Sequence, residues 1–168
     1  MRELAQSFRF PGASGEQLAS ILATAPLVGE NSIFGDRKVK STSTDSGVRR
    51  AIGFEPAPIP LLRFDVEIRQ QDTDSGTLAI VEFDQPQRRR PYLAGQFVWQ
   101  LEDGPDTTAV LREEINTSIA LGIVSRPLHG SALSFRRWLF FAGGHQRLMK
   151  DLASNLRELL TAETDQHR

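Results

Sequence analysis

The segment YLAGQFVWQLEDGPDTTAVLREEI, residues 92–115, contains two alternating stretches separated by a turn. In the first stretch one phase is apolar and consists of Leu93, Phe97, Trp99 and Leu101. The tripeptide Asp103-Gly104-Pro105 then interrupts the alternation. Because successive side chains of a strand point to opposite faces, this spacing predicts an antiparallel hairpin with one apolar face.

The second strand of this hairpin carries a carboxylate in the middle of its more apolar phase. That phase consists of Thr107, Ala109, Leu111, Glu113, Ile115 and Thr117. Two interpretations of Glu113 stay open. A bulge, a register offset or the open end of the strand would turn it to water. Alternatively, it faces a cavity, and a partner or water offsets its desolvation.

Further strands are predicted on the N-terminal side of this hairpin. Residues 61–70 form the clearest one, with an apolar phase of Leu62, Phe64, Val66 and Ile68. Residues 77–83 follow a hairpin loop, and their inward phase stays open because both faces are apolar. Residues 2–10, 36–44 and 48–54 add strands, whereas the prolines of residues 56–60 exclude a central strand there.

Two helices are indicated by capping and periodicity. Ser14 and Gln17 have the spacing of a capping box, and an apolar stripe follows until Pro26. Residues from Ser131 to about Glu163 repeat apolar positions at steps of four and three, as expected for one face of a helix. These positions are Trp138, Ala142, His145, Met149, Leu152, Leu156 and Leu159.

The predicted order is a strand, one or two short helices, about six strands in hairpin succession and a long C-terminal helix. It favours one α+β domain over residues 1–168, in which a curved seven-stranded antiparallel sheet wraps around the last helix. This order, above all residues 87–115 and the closing helix, resembles the helix-grip fold of the START-like or birch-pollen-allergen-like superfamily, which includes polyketide cyclase/dehydrase-type proteins. The resemblance covers essentially the whole chain, and it carries over no catalytic residue.

The resemblance implies a cavity between the sheet and the last helix that holds an apolar or amphipathic small molecule. Members of this superfamily include lipid and hormone binders, cyclases of aromatic polyketides and co-chaperones. We expect a cavity of roughly 300–1,000 Å³. Its expected walls include Phe97, Trp99, Trp138 and Met149, and residues 55–60 are expected near its mouth.

Polar candidates for the same site follow from strand and helix phase. Arg50 shares a phase with Val48, Ile52 and Phe54, so it is the expected inward arginine and a possible partner of Glu113. A solvated arginine on an edge strand is the alternative. His145 lies on the apolar stripe of the closing helix, as a hydrogen-bonded core residue or as a cavity-lining donor or proton carrier. Phe64 and the other aromatic residues fit both a core and a ligand-binding wall.

Composition excludes several classes of function. The formal net charge of −1 gives no overall attraction for nucleic acid, and the absence of cysteine excludes disulfides and thiolate metal sites. The three histidines lack metal-ligand spacing, and no phosphate-binding or G-x-S-x-G motif occurs. We therefore expect no cofactor, no metal, no nucleic-acid partner and no stable membrane insertion, in a cytoplasmic protein whose oligomeric state the sequence leaves open.

The sequence thus favours binding of a hydrophobic or amphipathic, lipid-like or polyketide-like molecule. The alternative is a polyketide cyclase or dehydratase in which a cavity Glu, His or Arg transfers protons and orients the substrate. An interaction protein built on the same fold is a third possibility.

Overall fold

The computed structural model describes residues 6–56, 63–85, 94–116 and 132–166, without the side chains of residues 94, 115, 116, 132–143 and 166. Strands and helices follow one another in the order that the sequence predicts. In chain order they are β1 (Gln6–Pro11), α1 (Gly15–Thr24), β2 (Ser41–Asp45), β3 (Val48–Phe54), β4 (Phe64–Thr73), β5 (Gly76–Asp84), β6 (Ala94–Gly104), β7 (Thr108–Asn116) and α2 (Ala132–Gln166).

The strands form one seven-stranded sheet in the order β1-β7-β6-β5-β4-β3-β2. Every pair of neighbours is antiparallel. Strands β2 to β7 are therefore a meander of consecutive hairpins, and β1 pairs with β7 at the far edge. The predicted α+β helix-grip architecture is confirmed.

One face of the sheet provides the buried core, and we call it the inner face. The residues that face inward on β4 to β7 are Phe64, Val66, Ile68, Ala79, Val81, Phe83, Phe97, Trp99, Leu101, Ala109, Leu111 and Glu113. The inward phase of β5, which the sequence left open, is thus that of Ala79. Leu62 and Leu93 lie outside the described residues.

The closing helix α2 buries the predicted stripe from His145 onward, while the side chains of Trp138 and Ala142 lie outside the described part of the chain. His145, Met149, Leu152 and Leu156 are each at most 5% exposed, and Leu159 is partly buried against the same core. Their burial at steps of four and three shows that this face of α2 packs on the core. No helix within the described ranges is long and apolar enough to span a membrane.

Helix α1 begins where the hairpin of β6 and β7 turns. The predicted capping box is present, because Ser14 and Gln17 each accept a hydrogen bond from the other's backbone N–H. A carboxylate oxygen of Asp103 accepts a further bond from the backbone N–H of Gly15 at 2.7 Å. Gly15 allows this close approach, since a Cβ there would lie 3.1 Å from the backbone of Glu102.

The other end of α1 is held by a side chain from β3. The carbonyl of Leu22 would be bonded by the residue four positions later, but that residue is Pro26, which has no N–H. Arg49 donates hydrogen bonds to the carbonyls of Leu22 and Ala25 instead. A cation at the C-terminal end of a helix also interacts favourably with the helix dipole.

Two glycines give opposite predictions for the same substitution. A Cβ at Gly76 would lie 2.1 Å from the carbonyl oxygen of Leu101, and the φ of Gly76 is +137°. Gly144 is exposed within α2, and a Cβ at this position would have no other atom within 4 Å. We expect Gly76→Ala to destabilise the fold by at least about 2 kcal/mol, through clash and backbone strain. Gly144→Ala should stabilise it by about 1 kcal/mol.

Urea unfolding of the two variants and the wild type measures both effects. If both variants changed the free energy of unfolding by the same amount in the same direction, that result would contradict the close packing of β5 against β6.

Candidate functional site

The structure places Glu113 on the inner face of the sheet. Glu113 is 1% exposed, and its neighbours in the same phase of β7, Ala109 and Leu111, are 0% exposed. β7 pairs in continuous register with β6 along its whole length. No bulge therefore turns the carboxylate to solvent, and its desolvation has to be offset by hydrogen bonds inside the protein.

Three side chains from three elements donate hydrogen bonds to this carboxylate. Trp99 Nε1 lies 3.0 Å from Oε1, and His145 Nε2 lies 2.8 Å from the same oxygen. Gln6 Nε2 lies 3.3 Å from Oε2. Trp99 on β6 and Gln6 on β1 are the cross-strand neighbours of Glu113 on its two sides, while His145 comes from α2. We call these four residues the Glu113 cluster.

The imidazole of the Glu113 cluster continues a column of aromatic rings. Phe83 stacks on Phe97 with centroids 4.7 Å apart, and Phe97 stacks on His145 at 4.3 Å. Phe64 closes the column edge-on against Phe83 at 5.7 Å. Such ring pairs contribute stabilising energy beyond that of the apolar area that they bury. The stack on Phe97 therefore favours one plane for the imidazole of His145.

The geometry defines what this cluster can do chemically. The indole of Trp99 can only donate, so Glu113 is the acceptor of that bond. His145 can meet the same carboxylate oxygen as a neutral Nε2–H donor or as an imidazolium. The pair can therefore hold or transfer a proton within an apolar interior. The described side chains contain no group of three His, Asp or Glu residues suited to a metal.

Arg50 does not belong to this cluster, and the predicted phase of β3 is wrong. Arg50 lies opposite Glu67 on the outer face, with its Nε 2.9 Å from a Glu67 carboxylate oxygen. The inward arginine is Arg49, which is 8% exposed. The register of β3 shifts between Ala51 and Phe54, so Phe54 shares a face with Arg49 rather than with Arg50.

A groove of about 520 Å³ lies on the outer face of strands β3 to β6. Its polar lining consists of Arg50, Asp65, Glu67, Glu82, Asp84 and Gln96. A hydrogen bond from Arg69 is the main cause that lowers the pKa of Glu67, and Arg50 adds to it. This groove is distinct from the predicted interior cavity, since these polar side chains point away from the core.

The other predicted wall residues have mixed outcomes. Phe64, Phe97, Trp99 and Met149 are buried in the core between the sheet and α2. Trp138 lies in α2, but its side chain is outside the described part of the chain, as are residues 57–60 of the proline-rich loop. The interior cavity therefore stays a prediction.

Gln6 is a site residue that the sequence pattern did not reveal. Its position shares the phase of Phe8 and Phe10, so a polar residue on the inward face of β1 was the available signal. Recognising it required the register of β1 on β7, which pairs residues 107 positions apart.

Replacing Trp99 by Phe should reveal the hydrogen bond inside the cluster. The substitution keeps an aromatic ring and removes the Nε1 donor to Glu113. We expect a loss of about 1–3 kcal/mol in the free energy of unfolding, because the buried carboxylate loses a donor. A double-mutant cycle with Glu113→Gln in urea should give a coupling energy above about 0.5 kcal/mol. Additive effects would contradict the contact.

Comparisons with known proteins extend over nearly the whole chain at low identity. A conserved protein from Geobacillus kaustophilus superposes with a TM-score of 0.61 at 12% identity, covering 96% of each chain. For human STARD10 the TM-score is 0.56 at 11% identity, over 97% of this chain and 66% of that one.

The Zhui aromatase/cyclase of a Streptomyces species has a TM-score of 0.55 at 16% identity, over 94% of this chain and 92% of that one. No protein-family model matches the sequence, and no curated protein matches it. A START superfamily protein from Mycobacterium smegmatis also superposes, with a TM-score of 0.53. At such identities the likeness concerns the fold alone. The chain has the START-like helix-grip fold.

Proposed function

We propose that this protein binds a hydrophobic or amphipathic small molecule between the inner face of the sheet and α2. The observation that carries the proposal is the contact between Glu113 and His145, which are 1% and 5% exposed in an aromatic interior. The Glu113 cluster is the polar part of the site, and the column of Phe83, Phe97 and His145 is its aromatic wall.

Stability alone gives little reason for such a pair. Taking two ionisable groups out of water costs several kcal/mol, and well-packed apolar residues often replace a buried pair without loss. Small-molecule sites, in contrast, combine an apolar lining with a few polar groups that fix the ligand's orientation. Apolar ligand surface buried there contributes roughly 25 cal/mol per Å² before ordering costs.

Donor geometry assigns different roles to the members of the cluster. Glu113 accepts bonds at both oxygens from Trp99, Gln6 and His145. Its main role in this proposal is to hold His145 in place, while the imidazole and the aromatic wall meet the ligand. The named structural neighbours, a START superfamily protein and an aromatase/cyclase, support a small-molecule role on this fold.

Native mass spectrometry of the purified protein tests the proposal. We expect the wild type to retain a small molecule that is released under denaturing conditions. Glu113→Gln should lower the affinity for the identified compound about tenfold, the equivalent of one charge-assisted hydrogen bond. Its neighbour Glu114 is exposed on the outer face, so Glu114→Gln is the matched control and should bind as the wild type does.

A wild-type protein that retains no small molecule from any expression host would count against the function. Equal losses in the two glutamate variants would count against the site.

A second candidate is a polyketide cyclase or dehydratase activity. It is favoured by the 2.8 Å contact between His145 and Glu113, since a carboxylate-oriented imidazole is a common general base or acid. Binding and catalysis differ in what is recovered after incubation. A binding protein returns the same compound, whereas an enzyme returns a cyclised or dehydrated product whose formation is lost in His145→Asn.

A further inference from the structure

Arg49 is a buried cation that does not belong to the Glu113 cluster. Its side chain points to the inner face of β3, and the residue is 8% exposed. Its hydrogen bonds go to the main-chain carbonyls of Leu22 and Ala25. Within the described ranges its Nε has no hydrogen-bond partner, and no carboxylate lies within 4 Å of the guanidinium.

Such a group is unusual in a protein interior. Buried arginines are generally paired with an anion, and buried donors are generally satisfied. Burial lowers the pKa of Arg49, the direction expected for a cation that lacks a nearby negative charge. The two carbonyls at the end of α1 offset only part of that charge, because they are dipoles and not an anion.

We propose that Arg49 binds the acidic head group of the ligand. The ligand is therefore an amphipathic molecule with a carboxylate at one end. This inference rests on the proposed function and adds the chemical class of the ligand. A guanidinium has five N–H donors, and Arg49 uses one on each terminal nitrogen. The edge formed by Nε and the adjoining terminal nitrogen matches the two oxygens of a carboxylate.

Strand register connects Arg49 with the Glu113 cluster. Arg49, Ile68, Val81 and Phe97 are successive cross-strand neighbours on β3, β4, β5 and β6. Three interstrand steps of about 4.8 Å separate the ends of this row by roughly 14 Å. Phe97 stacks on His145, so the row has a cation at one end, two aliphatic side chains in the middle and a polar aromatic end.

Such a row fits an elongated molecule with one acidic end. Its carboxylate would be bound by Arg49, and its apolar body would lie along Ile68 and Val81. Any hydrogen-bonding group at its far end would reach the imidazole of His145. The inner face therefore distinguishes a fatty acid from the corresponding neutral alcohol.

Isothermal titration calorimetry of the full-length protein with dodecanoate and with dodecanol tests this proposal. The wild type should bind dodecanoate at least about tenfold more tightly than dodecanol. Arg49→Gln should remove that preference and leave the affinity for dodecanol within about threefold. Arg50→Gln is the matched control, because Arg50 is adjacent in sequence and lies on the outer face. It should leave both affinities unchanged.

The outcomes separate this proposal from the function on which it rests. If the wild type binds both compounds equally, or if Arg50→Gln has the same effect as Arg49→Gln, the role of Arg49 is wrong and ligand binding stands. If neither compound binds, both are overturned for ligands of this shape.

A second variant keeps the test valid if the first one does not fold. Arg49 also holds the end of α1, so circular dichroism checks each variant. Arg49→Lys keeps the charge and lacks the planar edge, and it should weaken dodecanoate binding about tenfold without affecting dodecanol. An unchanged affinity for dodecanoate in a folded variant would overturn the proposal.

Discussion

A carboxylate buried in an apolar interior has to receive hydrogen bonds, and at Glu113 this requirement joins four elements of the fold. Glu113 belongs to β7, and its donors come from β1, β6 and α2. The edge strand β1, the adjoining hairpin of β6 and β7 and the closing helix therefore share one acceptor group. A helix-grip fold needs its last helix placed against the sheet, and here a polar contact specifies that placement in addition to apolar packing.

The inner face carries charge at two separated positions rather than one. Glu113 and His145 lie at the β7 end of the sheet, and Arg49 lies at the β3 end beneath α1. The surface between them is apolar. Glu113 accepts hydrogen bonds from three side chains, and Arg49 donates to two main-chain carbonyls. The ligand site that we propose combines this apolar surface with the polar groups at its two ends.

Local patterns predicted most of the fold. The alternation of residues 95–114, the capping box at Ser14 and the stripe through His145 each depend on neighbouring residues, and each is present in the described part of the structure. The same alternation placed Glu113 in the apolar phase but left open whether it faced water or the interior, because that depends on the register of β7 on β6. The site was only partly predictable, because strand phase fails at a bulge. Because the register of β3 shifts between Ala51 and Phe54, the apolar phase that ends at Phe54 pointed to Arg50 as the inward residue, whereas Arg49 is the inward one.

The indole N–H of Trp99 reports on the Glu113 cluster most directly, since it donates to the buried carboxylate. The chain has two tryptophans, so Trp138→Phe leaves a single indole signal in a ¹H–¹⁵N NMR spectrum. We predict that this signal persists in D₂O and changes its chemical shift in Glu113→Gln but not in Glu114→Gln. An indole proton that exchanges at once, or that ignores the substitution at Glu113, would contradict the buried cluster.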